Sequence, residues 1–403
     1  MEFYRKNAVL TALALEVPFW DRSIRTKISS LLFCCLLQLV PPALKGETGP
    51  GTGTGTGTGT GNGAVILQYH HVSAETPAVT SISPEKFKAH IETIITQGYQ
   101  VMPLTTIVDG LRKGGNLPDK AVAITFDDAY KNIFTHAFPI LKKYRLPFTV
   151  FVATDYIAEP STQFLSWDEL REMSINGAFI ANHTASHSHL LRRQQSETQS
   201  QWLNRVEQEI LTAEKALHKN IPENTPKNIN SGPVQKLLAY PYGEYDTNIQ
   251  RIIKKLGYVA FGQQSGAAGS NSDFSAMPRF PLSGIYSDHE SFAIKLNTLP
   301  LPIKNQPRDP LLRTDNPMPR LVMSFEDGDV NLSNLRCFGP EGPLEIQTLD
   351  KHRVSTRVTT PLPIGRSRYN CTMPVPGADP ERFYWFSQLW IRTNIDGSWY
   401  PEL

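Results

Sequence analysis

An excess of charge of either sign is the first thing this sequence lacks. Its 403 residues carry 40 Lys and Arg against 38 Asp and Glu, a formal net charge of +2, and only 19% of residues are charged. That balance creates no global field of the kind that draws a protein onto nucleic acid, so no nucleic-acid partner is expected. Cysteine is scarce as well. Of four, Cys34 and Cys35 lie inside an apolar run, and Cys337 and Cys371 stand apart, neither of them in a C-x-x-C redox or zinc pattern. In an oxidising compartment the second pair would form one disulfide; the alternative is two buried thiols. The apolar run itself, Ile28 to Val40, has 13 residues, short of the roughly 20 needed to cross a bilayer as a helix.

What surrounds that run gives it a meaning. Arg22, Arg25 and Lys27 precede it and Pro41, Pro42 and Ala43 follow it, the basic, apolar and small-residue order of an export signal. Residues 1–45 therefore read as an export signal region, with no stable membrane span expected after processing and a periplasmic or extracellular destination. Phe33 before Cys34 argues against lipid anchoring, which wants small residues there. Residues 46–63 contain a Gly-Thr dipeptide repeat and form a low-complexity linker that cannot bury apolar surface.

A chain of this length splits into more than one folded unit. From Ala64 the hydrophobic period alternates between 2 and 3.6. Strands are expected at Val65–Tyr69, Tyr99–Met102, Ala121–Phe126, Phe148–Ala153, Ala178–Ala181, Lys236–Tyr240 and Tyr258–Gly262. Between them fall helices over Pro84–Gln97, through Ile133, Ala137, Ile140 and Tyr144, through Val206, Ile210, Ala213 and Leu217, and over Thr247–Leu256. About seven strand-helix units argue for an α/β fold, a distorted (β/α) barrel over residues 64–298. Prolines 300, 302, 307, 310, 317 and 319 mark residues 299–319 as a linker without regular structure. Residues 320–403 carry short alternating or aromatic-rich runs and read as a small all-β, sandwich-like accessory domain. Its Tyr384, Trp385, Trp390, Trp399 and Tyr400 fit either a β-sandwich core or a sugar-stacking surface.

The chemistry concentrates at strand ends. Thr125-Phe126-Asp127-Asp128 closes a buried strand, placing two carboxylates where a barrel gathers its catalytic groups. Asp128 alone would serve equally as the N-cap of the next helix. Asn182-His183-Thr184-Ala185-Ser186-His187 also follows a strand. His183 and His187 point the same way if that segment turns helically, and two imidazoles with a carboxylate make a site for a divalent cation with open positions. His70, at the end of the first strand, lines the mouth or is a satisfied polar group; His189 lies outside a ligand set that is already complete.

Thr-Phe-Asp-Asp and His-Thr-x-x-His resemble the first two motifs of the NodB-like polysaccharide deacetylases, the fourth carbohydrate-esterase family. Ala239-Tyr240-Pro241-Tyr242-Gly243 resembles the third. The likeness runs from about Ala64 to Pro281 and is nearest the exported subgroup that deacetylates poly-N-acetylglucosamine of biofilm matrix, whose members often open with a pair such as Tyr69-His70. The resemblance implies that Asp128, His183 and His187 hold a divalent metal, zinc first, and that Asp127 is the general base. It places the backbone N–H of Tyr242 on the tetrahedral oxyanion and His70, Tyr240, Pro241 and Tyr242 against substrate. The implied partner is an acetylated glycan, N-acetylglucosamine polymer first.

Two departures stand out. Ala239 occupies the place of an arginine that braces the base, and Arg279 is the candidate substitute, or else a surface arginine beside a proline turn. The last family motif, Leu-x-His, has no clear match, with His289 the remaining candidate for a general acid. A rival reading follows: a carbohydrate-binding matrix protein with a degenerate, weakly active or inactive site. A cyclic-amide hydrolase on the same barrel would leave the export signal unexplained.

Overall fold

The computed structural model describes residues 63–114, 117–157, 161–222, 235–304, 308–325, 331–377 and 382–401. The expected export signal region, and all of the Gly-Thr linker but Gly63, lie outside them. Six parallel strands form the main sheet, in the order Gly63–Tyr69, Ala121–Phe126, Phe148–Val152, Ala178–Asn182, Lys236–Ala239 and Tyr258–Phe261. Gln100–Val101 adds a short parallel pairing to the start of Ala121–Phe126. Strands covered on both faces read as unbroken apolar runs, and Ala121–Phe126 is buried at every position.

The sheet curls into a distorted barrel, and one short segment spans its seam. Phe261, in the last long strand, bridges Met277, while Phe280–Pro281 pairs in parallel with Leu67 and Gln68 of the first. Residues 277–281 thus sit between last and first strands, carrying Arg279 with them. Along the first strand, Ala64 and Ile66 pack in one cluster, with Phe151, Ala181, Leu237 and Phe261, while Val65, Leu67 and Tyr69 pack in another. This period of two decides that Gln68 shares the face of Ala64 and Ile66.

The helices begin where side chains satisfy their first N–H groups. Ser83 caps Pro84–Thr96, Thr198 and Gln201 form a capping box on Gln199–Asn220, and Asp246 caps Thr247–Leu256. The long helix buries Trp202, Val206, Ile210, Ala213 and Leu217, one stripe at helical spacing. The helix expected through Ile133 to Tyr144 starts with a wider π turn, Ile133–Ala137, before Phe138–Tyr144. The Asp128 carboxylate turns to His183 and His187 rather than to the start of this helix, its Oδ1 3.1 Å from Nε2 of each.

The C-terminal region is all β. Thr298–Pro300, Phe383–Arg392, Gly365–Pro374, Arg336–Gly339 and Gly342–Leu344 form one sheet in that order, and Leu321–Ser324, Arg353–Thr356 and Ile346–Asp350 a second. Leu321, Met323, Val354, Tyr369, Met373 and Trp390 share a core between them. Contrary to the expectation of an irregular linker, Thr298–Pro300 pairs in parallel with Phe383–Trp385, and Ile303 and Leu311 bridge Phe325 and Ile391. Proline is tolerated because this strand lies at a sheet edge, where a missing N–H breaks no ladder.

Cys337 and Cys371 face each other in register on neighbouring strands and are joined as a disulfide across a sequence separation of 34. Constraining an unfolded loop of that length contributes about 3 to 4 kcal/mol. Replacing both by Ser is expected to lower the unfolding free energy by that amount in a denaturant titration; two reactive thiols in the untreated native protein would exclude the bridge.

Candidate functional site

The C-terminal ends of the strands converge on one mouth. Asp127 follows Phe126 and continues the strand pairing by one residue, its N–H donating to the Tyr69 carbonyl at 2.9 Å. Its side chain is fully buried. Arg279 Nη1 donates to Oδ1 at 2.7 Å and Nη2 to Oδ2 at 2.8 Å, while Gln68 Nε2 donates to Oδ2 at 2.6 Å. Burial pushes the Asp127 carboxyl up, but the Arg279 charge and hydrogen bonds outweigh it and hold the group below its ordinary value.

Arg279 is itself fully buried, its Nε donating to the Gly262 carbonyl at 3.0 Å and its guanidinium lying over the Phe151 ring. The surface-arginine alternative is thereby excluded. Ala239, where the related motif carries arginine, is packed in the core and contributes its carbonyl, which accepts from His183 Nδ1 at 2.8 Å.

Asp128, His183 and His187 form the second part of the site. His183 Nε2 and His187 Nε2 each stand 3.1 Å from Asp128 Oδ1. One ligand atom from each residue lies within 4.8 Å of the others. The two histidines do not converge through a helical turn, as the four-residue spacing suggested; residues 183–187 are irregular, and left-handed backbone at Thr184 (φ 67°) and His187 (φ 55°) brings the rings together. Among the described residues eight non-glycine positions have positive φ, and Asp128, Ala129, Thr184, His187 and Tyr242 account for five of them. Each costs about 1 to 3 kcal/mol and persists only where its surroundings enforce it.

The donor set fits a divalent cation. The Ala239 carbonyl can only accept, so the His183 proton resides on Nδ1 and the Nε2 lone pair faces Asp128 and His187. Without a cation, Nε2 needs a second proton to satisfy Asp128, and the His183 pKa is raised: burial opposes the charge, but hydrogen bonding to Asp128 prevails.

The other expected residues divide. His70 is partly exposed, its Nε2 3.9 Å from Asp127 Oδ2. Tyr242 is partly exposed at φ 58°, its ring 4.7 Å from His187 and stacked on His189 at 3.7 Å. Tyr240 and Pro241 do not reach the mouth as expected of residues against substrate. Tyr240 is fully buried with its hydroxyl on the Ser275 carbonyl, and Pro241 is buried beside it, because strand parity turns Tyr240 into the packing layer. His289 is exposed on the first turn of His289–Leu296.

Three supporting residues escaped the sequence reading. Gln68 is the one amide in an otherwise apolar strand, which was a usable signal. Glu209 accepts from Ser186 N–H and Oγ, both at 2.9 Å, and so shapes the histidine loop. Glu244, fully buried just after the Tyr-Pro-Tyr-Gly motif, accepts from His189 Nδ1 at 2.8 Å.

Residues 114–261 match the family model described as polysaccharide deacetylase. Curated relatives include the poly-beta-1,6-N-acetyl-D-glucosamine N-deacetylases of Staphylococcus aureus, 28% identical over 213 residues (52% of this chain, 70% of the relative), and of Staphylococcus epidermidis, 29% identical over 244 residues (55% and 79%). Among solved structures, the Streptococcus pyogenes deacetylase PplD superposes with a TM-score of 0.50 at 22% identity, covering 58% of this chain and 98% of PplD. The stretch matched by that model carries the Asp127, Asp128, His183 and His187 mouth, so residues 114–261 form a polysaccharide deacetylase domain. No helix among the described residues is long and apolar enough to cross a membrane.

Proposed function

We propose that this chain is a metal-dependent, extracytoplasmic N-deacetylase of poly-N-acetylglucosamine, with residues 64–298 as its catalytic domain and residues 320–403 as an accessory domain, the residues between them pairing in part with its sheets. The observation that carries the reading is the pairing of the Asp128, His183 and His187 cluster with a neighbouring carboxylate held ionised by Arg279. The substrate assignment is supported by the names of the Staphylococcus relatives.

Asp128, His183 and His187 would hold the cation, zinc first. When bound, it supplies a Lewis acid that lowers the pKa of water and polarises the acetyl carbonyl. Asp127 takes the proton from the attacking water and makes it available to the leaving amine nitrogen, so acetate and a free amine result. Arg279 and Gln68 keep that carboxylate aimed and charged between turnovers. The Tyr242 backbone N–H donates to the oxyanion as the carbonyl becomes tetrahedral. His70 and the Tyr242 ring border the sugar.

Replacing His183, His187 or Asp128 by Ala removes one of only three protein ligands, so zinc content and acetate release are expected to fall together. The check is metal analysis of each purified variant beside its turnover. Stoichiometric zinc in Asp128→Ala, or full turnover without metal, would overturn the assignment.

A further inference from the structure

The C-terminal β region reaches into this mouth at one point. Arg366, the second residue of strand Gly365–Pro374, donates from Nη1 to the Tyr242 carbonyl at 3.0 Å, and its guanidinium lies 5.8 Å from the centre of the Tyr242 ring. The same Nη1 stands 3.5 Å from Glu244 Oε1, which also accepts from the Tyr400 hydroxyl. Oε2 of that carboxylate accepts from His189, whose ring stacks on Tyr242 with 8° between the planes. Burial raises the Glu244 carboxyl, but the hydrogen bonds from His189 and Tyr400 prevail and hold it low. Two residues of the β region and two loops of the barrel mouth therefore meet on one buried anion.

We infer that Arg366 is a positioning residue for deacetylation, so that the β region helps to build the active site. The inference rests on the reading of Tyr242 as the oxyanion donor. Tyr242 at φ 58° and Gly243 at φ 68° are two consecutive left-handed residues, and a side chain at Gly243 would collide with Gln263. A non-glycine residue held there relaxes unless its neighbours fix it. His189 fixes the ring of Tyr242, and Arg366 fixes its carbonyl through a charge-assisted hydrogen bond. With ring and carbonyl both held, the N–H on the same Cα is held as well. An oxyanion donor works only when pre-placed at hydrogen-bond distance from the developing charge, and small misplacements are felt in kcat.

Arg366 is exposed enough that its loss leaves the folded core intact. Arg366→Ala is therefore expected to lower kcat by about 10- to 100-fold, part of the full effect of losing an oxyanion donor. KM and zinc content should stay within about twofold. Arg366→Lys, which can still donate to the carbonyl, should recover part of kcat, and so should millimolar guanidinium added to Arg366→Ala. Independently of turnover, hydrogen–deuterium exchange of residues 240–246 should accelerate about tenfold in Arg366→Ala with melting temperature little changed. Unchanged exchange and unchanged kcat would overturn the inference, and so would a rise in KM alone, which would make Arg366 a glycan contact. Asp127→Asn, run alongside, separates the two readings. If it loses turnover while Arg366→Ala keeps it, only the positioning role fails; if Asp127→Asn stays active, the proposed mechanism fails, and the exchange arm still decides whether Arg366 holds the turn.

Discussion

Replacing Asp127 by Asn is expected to lower acetate release by about 100- to 10,000-fold, the usual range for a lost general base, while zinc stays bound. The metal cluster uses Asp128, not Asp127, so its three ligand atoms are untouched. The substitution is not silent in stability, however. Asp127 accepts three N–H donors, two from Arg279 and one from Gln68, and an amide in its place sets one N–H₂ against donors. Gln68 can answer by turning its own amide, because its Oε1 is buried with no partner among the described residues. Arg279 has no such freedom, so one donor is left unmet, a cost of about 1 to 3 kcal/mol. Turnover, zinc content and denaturant unfolding measured on one preparation check all three parts; near-normal turnover would remove Asp127 from the role of base.

Arg279→Ala is expected to be the most destabilising single change at the site. Arg279 and Asp127 are both fully buried and joined by two short hydrogen bonds. Removing one partner of such a pair strands the other charge out of water and costs about 3 to 5 kcal/mol. It also frees Thr125 Oγ1 and the Gly262 carbonyl from their donors. Arg279→Lys keeps a charge but cannot reach both carboxylate oxygens in one plane, so it should fall between wild type and Ala in unfolding free energy and in turnover. Wild-type stability in Arg279→Ala would mean that the pair contributes nothing to holding the seam of the barrel.

Much of this site was legible before any coordinates, for a physical reason. Parallel strands covered on both faces must be continuously apolar, so Ala121–Phe126 and Phe148–Val152 announce themselves, and the polar residues that follow such runs mark the mouth. Asp127, Asp128, His183 and His187 were found that way. What stayed hidden depends on partners far away in the chain: Gln68 lies 59 residues from Asp127 and Tyr400 lies 156 from Glu244, while Arg279, 152 residues from Asp127, was named only through the family resemblance. No local pattern encodes such pairs.

Backbone conformation was equally invisible. The spacing of His183 and His187 suggested a helical turn, whereas the chain uses two left-handed residues, in a loop whose N–H groups go to Asn182, Thr184 and Glu209 side chains. Tyr240 was misplaced because strand parity decides which of two nearby tyrosines faces the mouth, and the motif alone does not state where the strand ends. The proline-rich 299–319 segment misled in the opposite sense. Proline excludes interior strands but not an edge, and nothing in the sequence told which edge would be available.

The most direct test is acetate release from a β-1,6-linked N-acetylglucosamine oligomer by the protein assayed as purified, after chelation, and after zinc is restored. The account predicts release that is abolished by the chelator and regained with zinc, with one free amine formed per acetate. Oligomer binding without release in the zinc-restored protein would contradict it and identify a carbohydrate-binding protein with a degenerate site. Release that survives complete chelation would contradict the metal-dependent mechanism.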